Sequence, residues 1–125
     1  MSKTSPKKGS TKILSTVDKE RGFHFYAAEG VFMNVTASSL PDFAEQLDSI
    51  DESALLFHYP RGDFQAWIKD VVGDNELANR LCFITANLPG EELRKELKRI
   101  VLQRIKELTP YPWEKAKVVY DANNR

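Results

Sequence analysis

Asp63-Phe64-Gln65-Ala66-Trp67-Ile68-Lys69-Asp70-Val71-Val72-Gly73-Asp74-Asn75-Glu76-Leu77-Ala78-Asn79-Arg80-Leu81 decides the fold of this 125-residue chain. Phe64, Trp67, Ile68, Val71 and Val72 fall at i, i+3, i+4, i+7 and i+8, the spacing that puts five apolar side chains on one face of a helix. Asp63 reads as its cap, and Gly73 as its stop, because glycine enters the left-handed region without penalty. Asp74 then opens a second helix, with Leu77, Ala78, Leu81, Cys82 and Thr85 on one face. Two helices joined through Gly73-Asp74 must turn sharply, which predicts a helical hairpin or corner with Trp67 in the core.

Upstream, Ser39-Leu40-Pro41-Asp42 combines an N-cap serine, an early proline and a first-turn acid. Leu40, Phe43, Ala44, Leu47 and Ile50 follow at helical spacing, predicting a helix over 40–49. Asp51 caps a short apolar segment, 53–59, ended by Pro60, which reads equally as a buried helix or a buried strand. Earlier still, the runs Gly22–Ala28 and Val31–Thr36 are aromatic and β-branched around Glu29-Gly30, the pattern of a hairpin. Ile13 to Val17 offers a third strand. Downstream, Leu88-Pro89-Gly90-Glu91-Glu92 precedes a long helix to Leu108 whose core stripe is Leu93, Leu97, Ile100, Val101, Ile105 and Leu108. Beyond it, 113–120 reads as a short helix or as an edge strand. The expected architecture is α+β and mainly helical: a small N-terminal hairpin on a bundle of four to five helices. Residues 1–12 form a basic tail expected to be disordered and dispensable, and 13–125 one globular domain.

No apolar run approaches the length of a membrane span. No signal-peptide stretch follows the N-terminal lysines, and the lone Cys82 lies among apolar neighbours, where a buried thiol is expected. Cytoplasmic residence follows as the expectation. The balanced charge, 18 Lys and Arg against 18 Asp and Glu, hides a layout. Residues 1–12 carry four lysines and no acid, 13–93 carry 14 acids against five bases, and 94–125 carry nine bases against four acids. An acidic middle beside a basic end suits mutual packing, or two separate partner surfaces. Zero net charge makes a dedicated nucleic-acid binder the weaker reading, although an accessory role stays open.

From Phe23 to about Leu108 the chain resembles a family of small prokaryotic domains of unknown function. The resemblance rests on Phe23-His24-Phe25-Tyr26, Gly30, Ala37-Ser38-Ser39-Leu40 with Phe43 and Leu47, Phe57-His58-Tyr59, Arg61-Gly62-Asp63-Phe64, Trp67-Ile68, Val72-Gly73-Asp74 and Leu77-Ala78. It implies a compact domain with no assigned reaction.

Chemistry-bearing residues are few. His24 and His58, each between aromatics, invite comparison with a metal site that includes Asp63, but no ligand spacing accompanies them, and a hydrogen bond from each to a backbone group at the core edge explains both. Neither metal nor cofactor is expected. Arg61, beside His58 and Tyr59, would suit an anionic ligand. A triad of Ser39 or Ser53 with His58 and Asp63 can be composed on paper, yet there is no nucleophile elbow. His24, His58, Arg61 and Asp63 are therefore candidates for a small-ligand or small enzyme site. A second candidate lies on the last helix, where Lys95, Arg99, Leu102 and Lys106 share a face away from the core stripe. Leu102 ringed by cations suits docking of a protein partner or a second copy, as in a homodimer. The preferred reading is a non-catalytic interaction or regulatory domain, with the ligand site as the alternative.

Overall fold

A computed structural model describes residues 12–109. The tail before Lys12 and the segment 113–120 lie outside the described residues. Strands β1 (Phe23–Ala28) and β2 (Val31–Ala37) form an antiparallel hairpin. It is followed by helices α1 (Leu40–Ser49), α2 (Glu52–Arg61), α3 (Asp63–Trp67, continuing as a π-turn over Ile68–Val72), α4 (Asn75–Leu81) and α5 (Gly90–Leu108). The expected α+β, mainly helical architecture is the one observed. Ile13–Val17 adds no third strand. Lys12 to Leu14 form a helical turn instead, and only the Val17 N–H reaches the hairpin's end, at the Ser38 carbonyl.

Local chemistry sets most helix starts. Ser39 Oγ accepts the Asp42 N–H, Asp51 the Ser53 N–H, and Asp74 the Leu77 N–H, each satisfying a donor that the first helical turn leaves free. Gly62 and Gly73 sit at φ 76° and 87° and end α2 and α3 in the left-handed conformation. Segment 53–59 resolves as helix, and Pro60 lies within it, near enough to its end that the missing N–H breaks little. Asp63 makes no cap: Gly62 holds that position, and the Asp63 carboxylate is used elsewhere.

Phe23 and Phe25 from the hairpin meet Phe43, Phe64 and Trp67 from the helices in one aromatic core, mostly edge-on or tilted. Trp67 is buried, and its indole N–H donates to the Arg21 carbonyl at 2.8 Å. The π-turn, closed by the Gly73 N–H on the Ile68 carbonyl, interrupts the ideal stripe and leaves Val71 only partly buried. α5 packs across α1, α2 and α4 through Leu93, Leu97 and Val101. Its polar flank ties Arg94 to the Leu47 carbonyl, Lys98 to Asp48 and Arg104 to Asp74. Part of the basic end thus packs on the acidic middle.

The expected buried thiol is not found. α4 stops at Leu81, the chain turns, and Cys82 and Thr85 lose the helical phase that would have carried them inward. Leu108 is likewise only partly covered. No helix among the described residues is long and apolar enough to cross a membrane.

Candidate functional site

The four residues His24, His58, Arg61 and Asp63 line one cleft of about 560 Å³ between the hairpin and the α2–α3 corner. Its walls also include Phe23, Tyr26, Phe57 and Trp67, with Glu29 and Gly30 from the hairpin turn. Alternation along β1 explains the hairpin's share: Phe23 and Phe25 point into the core, so His24 and Tyr26 face outward. There they touch the exposed Phe32 ring at centroid distances of 5.9 and 5.4 Å.

His58 is the fixed point. It is buried among Phe23, Phe25, Phe57 and Phe64, and both ring nitrogens are engaged. Nε2 accepts the Tyr26 backbone N–H at 2.8 Å, and Nδ1–H donates to Asp63 Oδ2 at 2.8 Å. That pattern selects the neutral Nδ1–H tautomer. Burial pushes the imidazole below its ordinary value, against the opposing hydrogen bond and charge of Asp63, so the ring stays neutral at physiological pH. Its work is mechanical: it pins β1 to α2.

Asp63 Oδ2 takes a second bond, from Arg61 Nε at 2.9 Å. Burial alone would raise this carboxyl, but the His58 and Arg61 hydrogen bonds outweigh it and hold it below the usual range. Arg61 also lies 4.7 Å from the centroid of the Phe57 ring and 3.7 Å from Glu29 on the hairpin turn. Its guanidinium therefore bridges the cleft, from helix to hairpin, with half of its side chain still exposed. Exposed pairs of this kind contribute little net stability.

Tyr59, read from sequence as Arg61's neighbour, points the other way and donates from its hydroxyl to the Leu81 carbonyl at 2.6 Å. Ser39 Oγ and Ser53 Oγ are occupied at helix starts and lie outside the cleft, so the paper triad does not assemble. His24 Nδ1 pairs with Thr36 Oγ1 across the hairpin at 2.9 Å, a side-chain partner where a backbone one was expected. Glu29, Phe57 and Tyr26 were not among the candidate site residues. Their only signal was position, beside the hairpin break and beside the two histidines. Among the described residues no group of three or more His, Cys, Asp and Glu could hold a metal ion.

The second candidate set stands apart, on the outer face of α5. Lys95, Arg99 and Lys106 are exposed and Leu102 is 48% exposed, off the core stripe of the helix. Arg99 pairs with Glu96 at 2.7 Å. With Ile100, it also lines a second cleft, of about 530 Å³, together with Phe83, which is 85% exposed. Comparison with family models, with curated proteins and with solved structures finds no match to this chain.

Proposed function

We propose that this domain is a non-catalytic interaction module that receives a protein partner's side chain in the cleft between the hairpin and α2. The observation carrying this reading is an aromatic-walled cleft whose buried histidine, His58, is already spent on the fold through both ring nitrogens. A general base needs a free lone pair within reach of its substrate, and His58 has none. The cleft lining includes no serine, threonine, cysteine or lysine to act as a nucleophile. Pockets with apolar walls and a few placed polar groups are the usual form of a binding site. The anionic-ligand alternative is the less favoured one, because Arg61 already faces Asp63 and Glu29.

Selection of displayed random peptides on the purified full chain tests the proposal, followed by amide NMR mapping of the binders. Shifts should concentrate at His24, Tyr26, Glu29 and Phe57, and Tyr26→Ala should weaken binding about tenfold or more, as loss of an aromatic anchor does. Binders that map to α5 or elsewhere would refute the cleft as the recognition surface.

One observation favours a second reading, self-association through α5. Leu102 is half exposed on a helix that already buries Leu93, Leu97 and Val101, so the fold does not require it there. Sedimentation of wild type and Leu102→Asp at two salt concentrations decides the matter. A wild-type dimer that weakens with salt and is lost in the variant is the expected result, and identical monomers throughout would end the idea.

A further inference from the structure

We infer that the cleft recognises a cationic side chain, a guanidinium above all, and that Arg61 is an internal stand-in occupying that subsite until a partner displaces it. This rests on the binding reading above and specifies its chemistry. The subsite is defined by what Arg61 touches: the face of Phe57 at 4.7 Å, the Asp63 carboxylate at 2.9 Å and Glu29 at 3.7 Å. An aromatic face with carboxylates at its rim is the arrangement that holds guanidinium and ammonium groups. His58 adds no positive charge, since both of its nitrogens are bonded in the neutral form. With Arg61 swung out, two carboxylates remain around an aromatic floor, a setting that repels anions and attracts cations.

Arg61 is built to leave. It is the last residue of α2, followed by Gly62, and its side chain is half exposed. Displacement requires only rotation about its own side-chain bonds, because the backbone is fixed by the helix on one side and the left-handed glycine on the other. Asp63 would keep its bond from His58 throughout, so the wall of the subsite stays in place. An incoming guanidinium exchanges like for like at Phe57, Asp63 and Glu29. The surplus affinity then has to come from neighbouring surface, where Tyr26 and the exposed Phe32 extend the aromatic wall along the hairpin. The charge balance thereby sets the partner's character: a peptide or loop presenting an arginine or lysine next to apolar residues.

An internal occupant lowers apparent affinity by the fraction of time it leaves the site open. One present about nine-tenths of the time weakens an external cation about tenfold. The test uses the full chain as wild type, Arg61→Ala and Arg61→Gln, titrated with arginine methyl ester and, separately, with inorganic phosphate. Binding is followed by calorimetry and by the amide signals of Glu29, Phe57 and Asp63. Both variants should bind the ester about tenfold more tightly than wild type, with shifts at those three amides, and adding Phe57→Leu to either should reverse the gain. Amide dispersion reports whether each variant is folded, and the glutamine variant preserves side-chain bulk if alanine destabilises the helix end. Equal ester affinity in wild type and variants overturns the inference, and so does phosphate binding in place of ester binding. Selected peptides that enter the cleft through acidic or purely apolar residues would overturn it while leaving the binding reading intact. Peptides that map elsewhere would remove both.

Discussion

Two arginine–aspartate pairs, Arg104–Asp74 and Arg61–Asp63, use the same chemistry for opposite ends. Asp74 is only 2% exposed on its side chain and receives Arg104 through two nitrogens, at 2.8 and 3.1 Å, while also capping α4 at Leu77. Asp63 is about a third exposed and receives Arg61 through Nε alone, sharing the same oxygen with His58. The first pair is over-determined: removing Arg104 strands the Asp74 carboxylate where water does not reach, and removing Asp74 takes away two of the Arg104 bonds together with a helix cap. The second is loosely determined, because a displaced Arg61 finds solvent at once. Burial and bond count, rather than residue identity, separate a structural pair from an available one.

Substitutions can break that contrast, beginning with the strongest. Asp74→Ala removes a helix cap and both Arg104 bonds at that end, leaving Arg104 only its Glu107 contact at 3.1 Å, and should cost about 3 kcal/mol, the low end of the range for breaking a buried pair. Urea unfolding measures it, and a loss below about 1 kcal/mol would place Asp74 with the surface pairs. His58→Phe keeps the ring packing but strands the Tyr26 N–H and removes a donor from Asp63, so about 1–3 kcal/mol is expected.

The same histidine sharpens the comparison through pH. Its folded value lies below the ordinary 6.5, so the unfolded chain binds the proton first as the solution is acidified. The stability contributed by neutral His58 is complete above about pH 6.5 and falls as pH drops below it. Asp63, also lowered, adds its own loss only below about 3.8. The urea midpoint of wild type should therefore decline between pH 7.5 and 5.5, with a shallower decline in His58→Phe. Parallel pH profiles would mean that His58 is not held neutral by the fold. Smallest of all, Arg61→Ala should change stability by less than about 1 kcal/mol, as exposed pairs do. A loss comparable to that of Asp74→Ala would make Arg61 a structural brace.

How much of this was readable beforehand follows from sequence separation. Ser39, Asp51 and Asp74 act on backbone two or three residues away, and the stripe from Phe64 to Val72 repeats within one element, so each was visible in the residues. Segment 53–59 was undecidable because a histidine takes a core position, and with Ala54 and Leu55 as its only fully buried companions the period is too short to count. The Asp63 cap failed for a different reason: aspartate before a helix is the ordinary sign of capping, but a buried imidazole five residues earlier competes for the carboxylate and wins. Within the cleft, His58, Arg61 and Asp63 converge because they are neighbours along the chain. Phe57 joins them through the i,i+4 spacing to Arg61 on α2, which could be read only once 53–59 was known to be helix, and Glu29 joins them only through the docking of hairpin on helix, which no local pattern encodes.

The hairpin carries one more consequence, for the protein in concentrated solution. β2 is seven residues of Val, Phe, Met, Asn, Val, Thr and Ala, without charge or proline, and among the described residues no strand pairs with its outer edge. Such an edge is a template for fibril growth. Between His24↔Thr36 and Tyr26↔Phe32 the register slips, and Asn34 in that gap takes φ 62°, so β2 bulges where a straight edge would otherwise invite a neighbour. Asparagine enters that conformation more readily than most residues. Exchanging it for valine would favour extended backbone and flatten the edge, turning a folded surface into a nucleus for amyloid-like stacking.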